Sequence, residues 1–200
     1  MSSISQQKRT YRMSARAAGA AATRERLLSA AWLHFASRPY EDVRLREIAT
    51  DAAVSTQTLH TSFGSKQQLF TAAYMWWGQQ VIAGRDAAPV GCVPEAINNL
   101  FDTYEAHGAA VLRMLSQEER IPAVRQMTDA GRAYHREWVK KTFAPLLRGL
   151  RGGMRERRLN AMVLATDLLV WKLLRQDMQV QRREAERTVA DMVRSSPQAR

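Results

Sequence analysis

Cys92 is the only cysteine, so no disulfide can form within the chain, and no cluster of Cys and His has the spacing of a metal site. A lone thiol suits a reducing compartment. Long apolar runs are missing too. The most apolar later stretch, Leu159 to Leu174, carries Asn160, Asp167 and Lys172 and is too short to span a bilayer. The opening MSSISQQKRTYRM lacks the apolar stretch of a signal peptide. These absences predict a cytoplasmic protein with no membrane partner and no metal. Signatures of catalysis are also lacking. There is no nucleophile motif, no zinc-binding pair and no Gly-rich loop to cradle a phosphate, so the expectation is no enzyme, no catalytic residue and no cofactor.

Acidic residues are the other shortage. Asp and Glu number 19 against 30 Lys and Arg, a formal charge of +11 and a pI near 10.6. Such an excess points to a polyanionic partner, either nucleic acid or an anionic membrane surface. It is placed unevenly. No acid occurs up to Arg16, whereas Lys8, Arg9, Arg12 and Arg16 all fall there, and residues 1–66 hold ten basic side chains against five acidic. Residues 1–22 therefore read as a basic, flexible arm, loose until it meets its partner.

What is present is helical periodicity almost throughout, with no convincing alternation of a strand. Apolar residues make up 46% of the 200, enough to bury a core in one domain or two small ones. Thr23 is placed to cap a helix whose Leu27, Leu28, Ala31 and Phe35 share a face, and Pro39 ends it. A short helix with Ile48, Ala49 and Ala52 inward follows, then a third from Ser55 to about Ser62 with Leu59 inward. Ser65 and Gln68 match a capping box opening a fourth helix, Lys66 to about Ile82. Further helices are expected over 94–105, 109–118, 122–150, 157–176 and 181–194, punctuated by Gly108, Gly149, Gly152 and Gly153, with a frayed tail beyond Ser195.

The informative stretch is Ile48-Ala49-Thr50-Asp51-Ala52-Ala53-Val54-Ser55. A helix-turn-helix needs a small residue where its two helices cross, and Ala49 is small. It needs a tight turn and then an apolar plug, Val54, and a helix cap, Ser55. The next helix must be polar outside so that side chains reach base edges; Thr56, Gln57, His60 and Thr61 form that face.

With Leu27, Leu28, Ala30, Ala31 and Phe35, the aromatic Tyr40, and the run Phe63-Gly-Ser-Lys-Gln-Gln-Leu69, the segment from Thr23 to Leu69 resembles the DNA-binding domain of the TetR family. The resemblance implies an all-α protein: an N-terminal three-helix helix-turn-helix domain (residues 23–66), then a helical effector-binding and dimerisation domain (67–200). It implies a homodimeric, sequence-specific transcriptional regulator, most simply a repressor released from near-palindromic operator DNA by a small-molecule effector, apolar or aromatic. The implied DNA contacts are Arg44, Ser55, Thr56, Gln57, Thr58, His60, Thr61 and Lys66, the last as a phosphate contact at a helix start. Three positions depart from the family pattern. Ala53 stands where Gly is usual, Arg44 where a capping Thr is usual, and His60 where Tyr is usual.

The implied pocket lies among the middle helices, where Trp77, Phe101, Met114, Met127, Tyr134 and Trp138 are the lining candidates. His107, His135 and Arg113 are the polar candidates nearby, although a lone His beside a helix end is more often a cap or surface residue. Apolar stripes at Leu159, Met162, Ala165, Leu168, Leu169 and Leu173, then Ala185, Val189, Met192 and Val193, are the implied dimer helices; burial within one chain is the alternative. A constitutive architectural DNA-binding protein would not need the roughly 130 residues that follow the reading head. An activator, or a regulator answering to a protein partner, stays open.

Overall fold

The computed structural model describes residues 2–195, with side chains over 17–195; the side chains of Lys8, Arg9, Arg12 and Arg16 and the tail beyond Ser195 lie outside the described residues. Among the described residues the chain is helical with no strand, and no helix is long and apolar enough to cross a membrane. It divides into two compact units, Met1–Trp77 and Gly78–Arg200.

The first unit opens with α1, Ser2–Ser37. The helix runs through Thr23 instead of starting there: the Thr23 hydroxyl donates back to the Gly19 carbonyl at 2.9 Å, inside the helix. A β-branched residue so bonded can sit mid-helix, and the Ala-rich stretch around it favours continuation. After a 3-10 turn at Tyr40–Asp42 come α2 (Leu45–Asp51), α3 (Thr56–Phe63) and α4 (Lys66–Arg85). Leu27, Ala31, Ile48, Ala52, Leu59 and Leu69 are 0% exposed and form the centre of this unit. Phe70 meets Phe35 edge-on at 5.0 Å and Tyr40 at 5.3 Å, the geometry that ring quadrupoles favour.

The second unit is built on α5 (Val93–Leu115), α6 (Pro122–Thr142), α7 (Gly152–Ala165), α8 (Leu168–Lys172) and α9 (Arg182–Arg194). Pro94 and Pro122 lie in first turns, where a missing N–H costs nothing. Three boundaries differ from the sequence expectation. The helices expected over 94–105 and 109–118 are one, and Gly108 is buried inside it. A Cβ there would lie 2.7 Å from the Trp171 ring, so this glycine serves close packing and not a break. The helix expected over 122–150 stops at Thr142. Pro145 has no N–H for the Lys141 carbonyl, and the chain tightens into a 3-10 turn, Ala144–Leu147. The helix expected over 157–176 starts earlier, at Gly152, and is interrupted after Ala165. Asp167 caps a new start by accepting from the Leu169 N–H at 2.8 Å, and α8 runs on into a wide turn, Leu173–Asp177.

Phe101, Trp138, Phe143, Met162, Trp171 and Val189 mark the core of this unit. Arg158 is 2% exposed and donates to the carbonyls of Val193 and Ser195, satisfying the C-terminal end of α9. Arg182 ties α9 to α5 through Asp102 at 2.7 Å.

Candidate nucleic-acid interface

The turn between α2 and α3 is closed by short local bonds. The Ala53 N–H donates to the Thr50 carbonyl at 3.0 Å and the Val54 N–H to the Ala49 carbonyl at 2.9 Å. Ala53 has φ +54°, the left-handed region, so the alanine occupies the conformation that the usual glycine would adopt more cheaply. Ser55 accepts from the Thr58 N–H at 3.0 Å, and its hydroxyl meets that of Thr58 at 2.8 Å. These two side chains are thereby committed to starting α3. Gly64 closes it with φ +71°, its N–H donating to the His60 carbonyl at 2.8 Å. The reciprocal bonds of the next cap are also made: Ser65 N–H to Gln68 Oε1 at 3.1 Å, and Gln68 N–H to Ser65 Oγ at 3.1 Å.

On this frame Leu59 and Phe63 face inward, while Thr56, Gln57, His60 and Thr61 are exposed along the outer side of α3. The imidazole of His60 lies 3.4 Å from the Gly64 carbonyl. Arg44 is exposed at the position before α2 and makes no side-chain cap there. Lys66 is placed differently from a free phosphate contact. It is half-buried, donates to the Glu41 carbonyl at 3.1 Å and lies 4.7 Å over the Tyr40 ring, and burial holds its pKa below the ordinary lysine value.

Sequence reading missed the ties that fix α2 against α1. Arg26 donates from Nε to the Ala52 carbonyl at 3.2 Å, His34 pairs with Asp51 at 2.7 Å, and Arg38 pairs with Glu47 at 2.7 Å. The hydrogen bond from Arg38 holds the Glu47 carboxyl below its ordinary pKa. For the two ion pairs, charges of opposite sign on two predicted helices were the available signal, but partners 9 and 17 residues apart have no fixed spacing to betray them, and a backbone acceptor such as the Ala52 carbonyl gives no signal at all.

Of the effector-lining candidates, Trp77 stacks on Trp32 at 4.0 Å and tilts against Tyr74 at 5.5 Å. Phe101 and Trp138 share the second unit's core, with Tyr134 packed on it. Met114 and Met127 are buried on the same two helices, outside that cluster. His135 is not a cap or surface residue. It is buried, accepts from Arg85 at Nδ1 (2.8 Å) and meets the Thr166 hydroxyl at Nε2 (3.1 Å); burial, then Arg85, push its pKa down to about 4. His107 is half-buried, with its pKa lowered by burial, and the Arg113 carbonyl accepts from Ser116 and Gln117.

Residues 27–73 match the family model described as bacterial regulatory proteins, tetR family. A comparison with curated protein sequences gives no match. The fold is similar to that of a TetR-family transcriptional regulator from Streptomyces coelicolor, with TM-score 0.67, 18% identity, and 85% of this chain and 78% of that chain covered. It is also similar to a transcriptional regulator from Rhodococcus sp. Rha1, with TM-score 0.64, 17% identity, and 85% of this chain and 93% of that chain covered. At such identity these likenesses speak for the fold alone, and the family match is confined to residues 27–73, which hold the capped, tightly turned helix pair. Residues 27–73 are thus a segment similar to the tetR family of bacterial regulatory proteins, in a chain whose fold is shared with structures of transcriptional regulators.

Proposed function

We propose that the protein is a homodimeric repressor that leaves near-palindromic operator DNA when a small-molecule effector binds. The observation that carries this reading is the outer side of α3, where four polar side chains stand exposed on a helix capped at both ends and held from beneath by Leu59 and Phe63. Rigid presentation is what base reading needs, because discrimination rests on side-chain geometry in the major groove. Gln57 and Thr61, one turn apart, read base edges; Thr56 and His60 flank them. Ser55 and Thr58 contribute by capping, and Arg44 and Lys66 contact phosphates, Lys66 through ammonium protons not engaged by Glu41.

Residues 1–22 serve as the basic arm, 23–66 as the reading head and 67–200 as the effector and dimerisation domain, with Phe101, Met114, Met127, Tyr134 and Trp138 serving the pocket. The dimer reading is supported by large apolar side chains left exposed along the last helices: Leu164 (67%), Leu169 (56%), Leu173 (49%), Met178 (58%) and Met192 (43%). A second copy is the occupant that a two-fold operator calls for.

Selection of bound duplexes from a random pool, repeated with candidate effectors, tests the whole reading. Near-palindromic sites are expected, and about six phosphate contacts per dimer give a log–log salt slope of roughly −5. Gln57→Ala or Thr61→Ala should cost about 1–3 kcal/mol at particular base pairs, whereas Lys66→Ala should weaken all duplexes alike. A flat salt dependence, or asymmetric sites only, would refute the reading.

A further inference from the structure

We propose that Arg85 anchors a ligand site that takes the carboxylate of an aromatic acid, which deepens the effector reading above and rests on it. Arg85 is 6% exposed, in the last turn of α4. Its guanidinium lies 4.5 Å from the Trp138 ring centre, 5.3 Å from Tyr134 and 5.9 Å from Tyr104. One terminal nitrogen donates to His135 Nδ1 at 2.8 Å, and Nε is buried with no hydrogen-bond partner.

The groups that touch this guanidinium, His135 and the rings of Tyr104, Tyr134 and Trp138, are neutral. The Thr166 hydroxyl donates to the Met162 carbonyl at 2.7 Å, so its oxygen accepts from His135 Nε2–H, and the imidazole is left with Nδ1 as its acceptor. Tyr104 donates to the Thr166 carbonyl at 2.9 Å, and its phenol is pushed up to about 12 by burial. The carboxylates closest in the chain are held by other groups: Asp86 pairs with Lys141 at 3.3 Å and hydrogen-bonds Tyr134, and Asp167 caps α8. Among the described residues no carboxylate forms an ion pair with Arg85.

A buried, unpaired charge is costly, and ring faces and a helix C-terminus offset that cost only in part. An incoming carboxylate completes the balance. It accepts from Nε and a terminal nitrogen along one edge of the guanidinium, the fork that matches two carboxylate oxygens. The aromatic walls then select an aromatic body, and Tyr134, half-buried, is the wall nearest solvent. A cationic aromatic would instead meet like charge.

The test is calorimetric titration of the full-length protein with benzoate, salicylate and naphthoate, each against its neutral amide, with benzamidine as the cation. The carboxylates should bind at least about tenfold more tightly than their amides, quench tryptophan fluorescence and raise the melting temperature. Arg85→Gln, and separately Arg85→Met, should erase the carboxylate preference while far-ultraviolet circular dichroism stays that of the wild type. Equal binding of acid and amide by the wild-type protein overturns the proposal, as does binding by neither class at millimolar concentration. Carboxylates that bind through Arg85 but leave operator affinity unchanged would keep this site and remove the effector reading. A neutral aromatic that releases operator from wild type and Arg85→Met alike would do the reverse.

Discussion

At position 53 an alanine holds φ +54°, a conformation that crowds its Cβ against the neighbouring backbone and costs about 1–2 kcal/mol. Ala53→Gly relieves that strain but loosens the unfolded chain by about 0.4–1 kcal/mol, so a net gain of up to about 1.6 kcal/mol is expected. A rise in the urea midpoint at unchanged slope would register it; a fall would mean that the methyl packs usefully. His135 carries a second single-residue consequence. Its pKa is pushed down to about 4, while an unfolded histidine titrates near 6.5. Between those values the unfolded chain binds a proton that the folded chain refuses. Stability is therefore complete above about pH 6.5 and falls as the pH approaches 4, by roughly 3 kcal/mol in all. His135→Asn should flatten that part of the stability-versus-pH curve, measured by chemical denaturation from pH 7 to pH 4. An unchanged curve would assign the acid sensitivity to other groups.

Elements end where their backbone groups find partners. Ser55 and the Ser65–Gln68 pair start α3 and α4 with bonds made inside three residues, and Asp167 starts α8 in the same way. Because such bonds are local, they are legible in the sequence. The continuity of α5 is not local. Gly108 sits under Trp171, whose ring would lie 2.7 and 2.9 Å from an added Cβ, with Leu168 at 3.2 Å. Alanine is the better helix former by about 0.5–1 kcal/mol, but overpacking against a 4% exposed ring costs about 1–3 kcal/mol. Trp171 is further held by its indole N–H, which donates to Glu105 at 3.3 Å, so the ring has little freedom to retreat. Gly108→Ala is thus expected to lower the melting temperature, and a rise would show that α5 and α8 separate at little cost.

For the whole molecule, the last helices present two kinds of leucine side by side. Leu168 is 7% exposed within the core of its own unit, whereas Leu169 is 56% exposed. Most of the apolar positions read as a dimer stripe, Leu159, Met162, Ala165, Ala185, Val189 and Val193 among them, are likewise buried within the one chain. The two substitutions should therefore fail differently. Leu168→Arg places an unpaired charge in the core, a loss of several kcal/mol that unfolds the second unit. Leu169→Arg should leave the fold and its melting behaviour intact but shift sedimentation towards monomer and weaken operator binding. A Leu169→Arg protein that remains dimeric would place the interface on another surface.

By itself the sequence determined the helical class, the turn between α2 and α3, its caps and the polar outer side of α3, since each depends on residues a few positions apart. The interruption after Ala165 was equally local but hidden, because Asp167 reads as one polar residue within an apolar run. Only tertiary structure decided the rest. It turned Gly108 from a helix break into a packing site, divided Leu168 from Leu169, and tied Lys66 to Glu41. It also brought His135 to Arg85, 50 residues away, and enclosed both among rings from α5 and α6. Burial and pairing across such separations follow from how helices pack, and no periodicity along the chain encodes them.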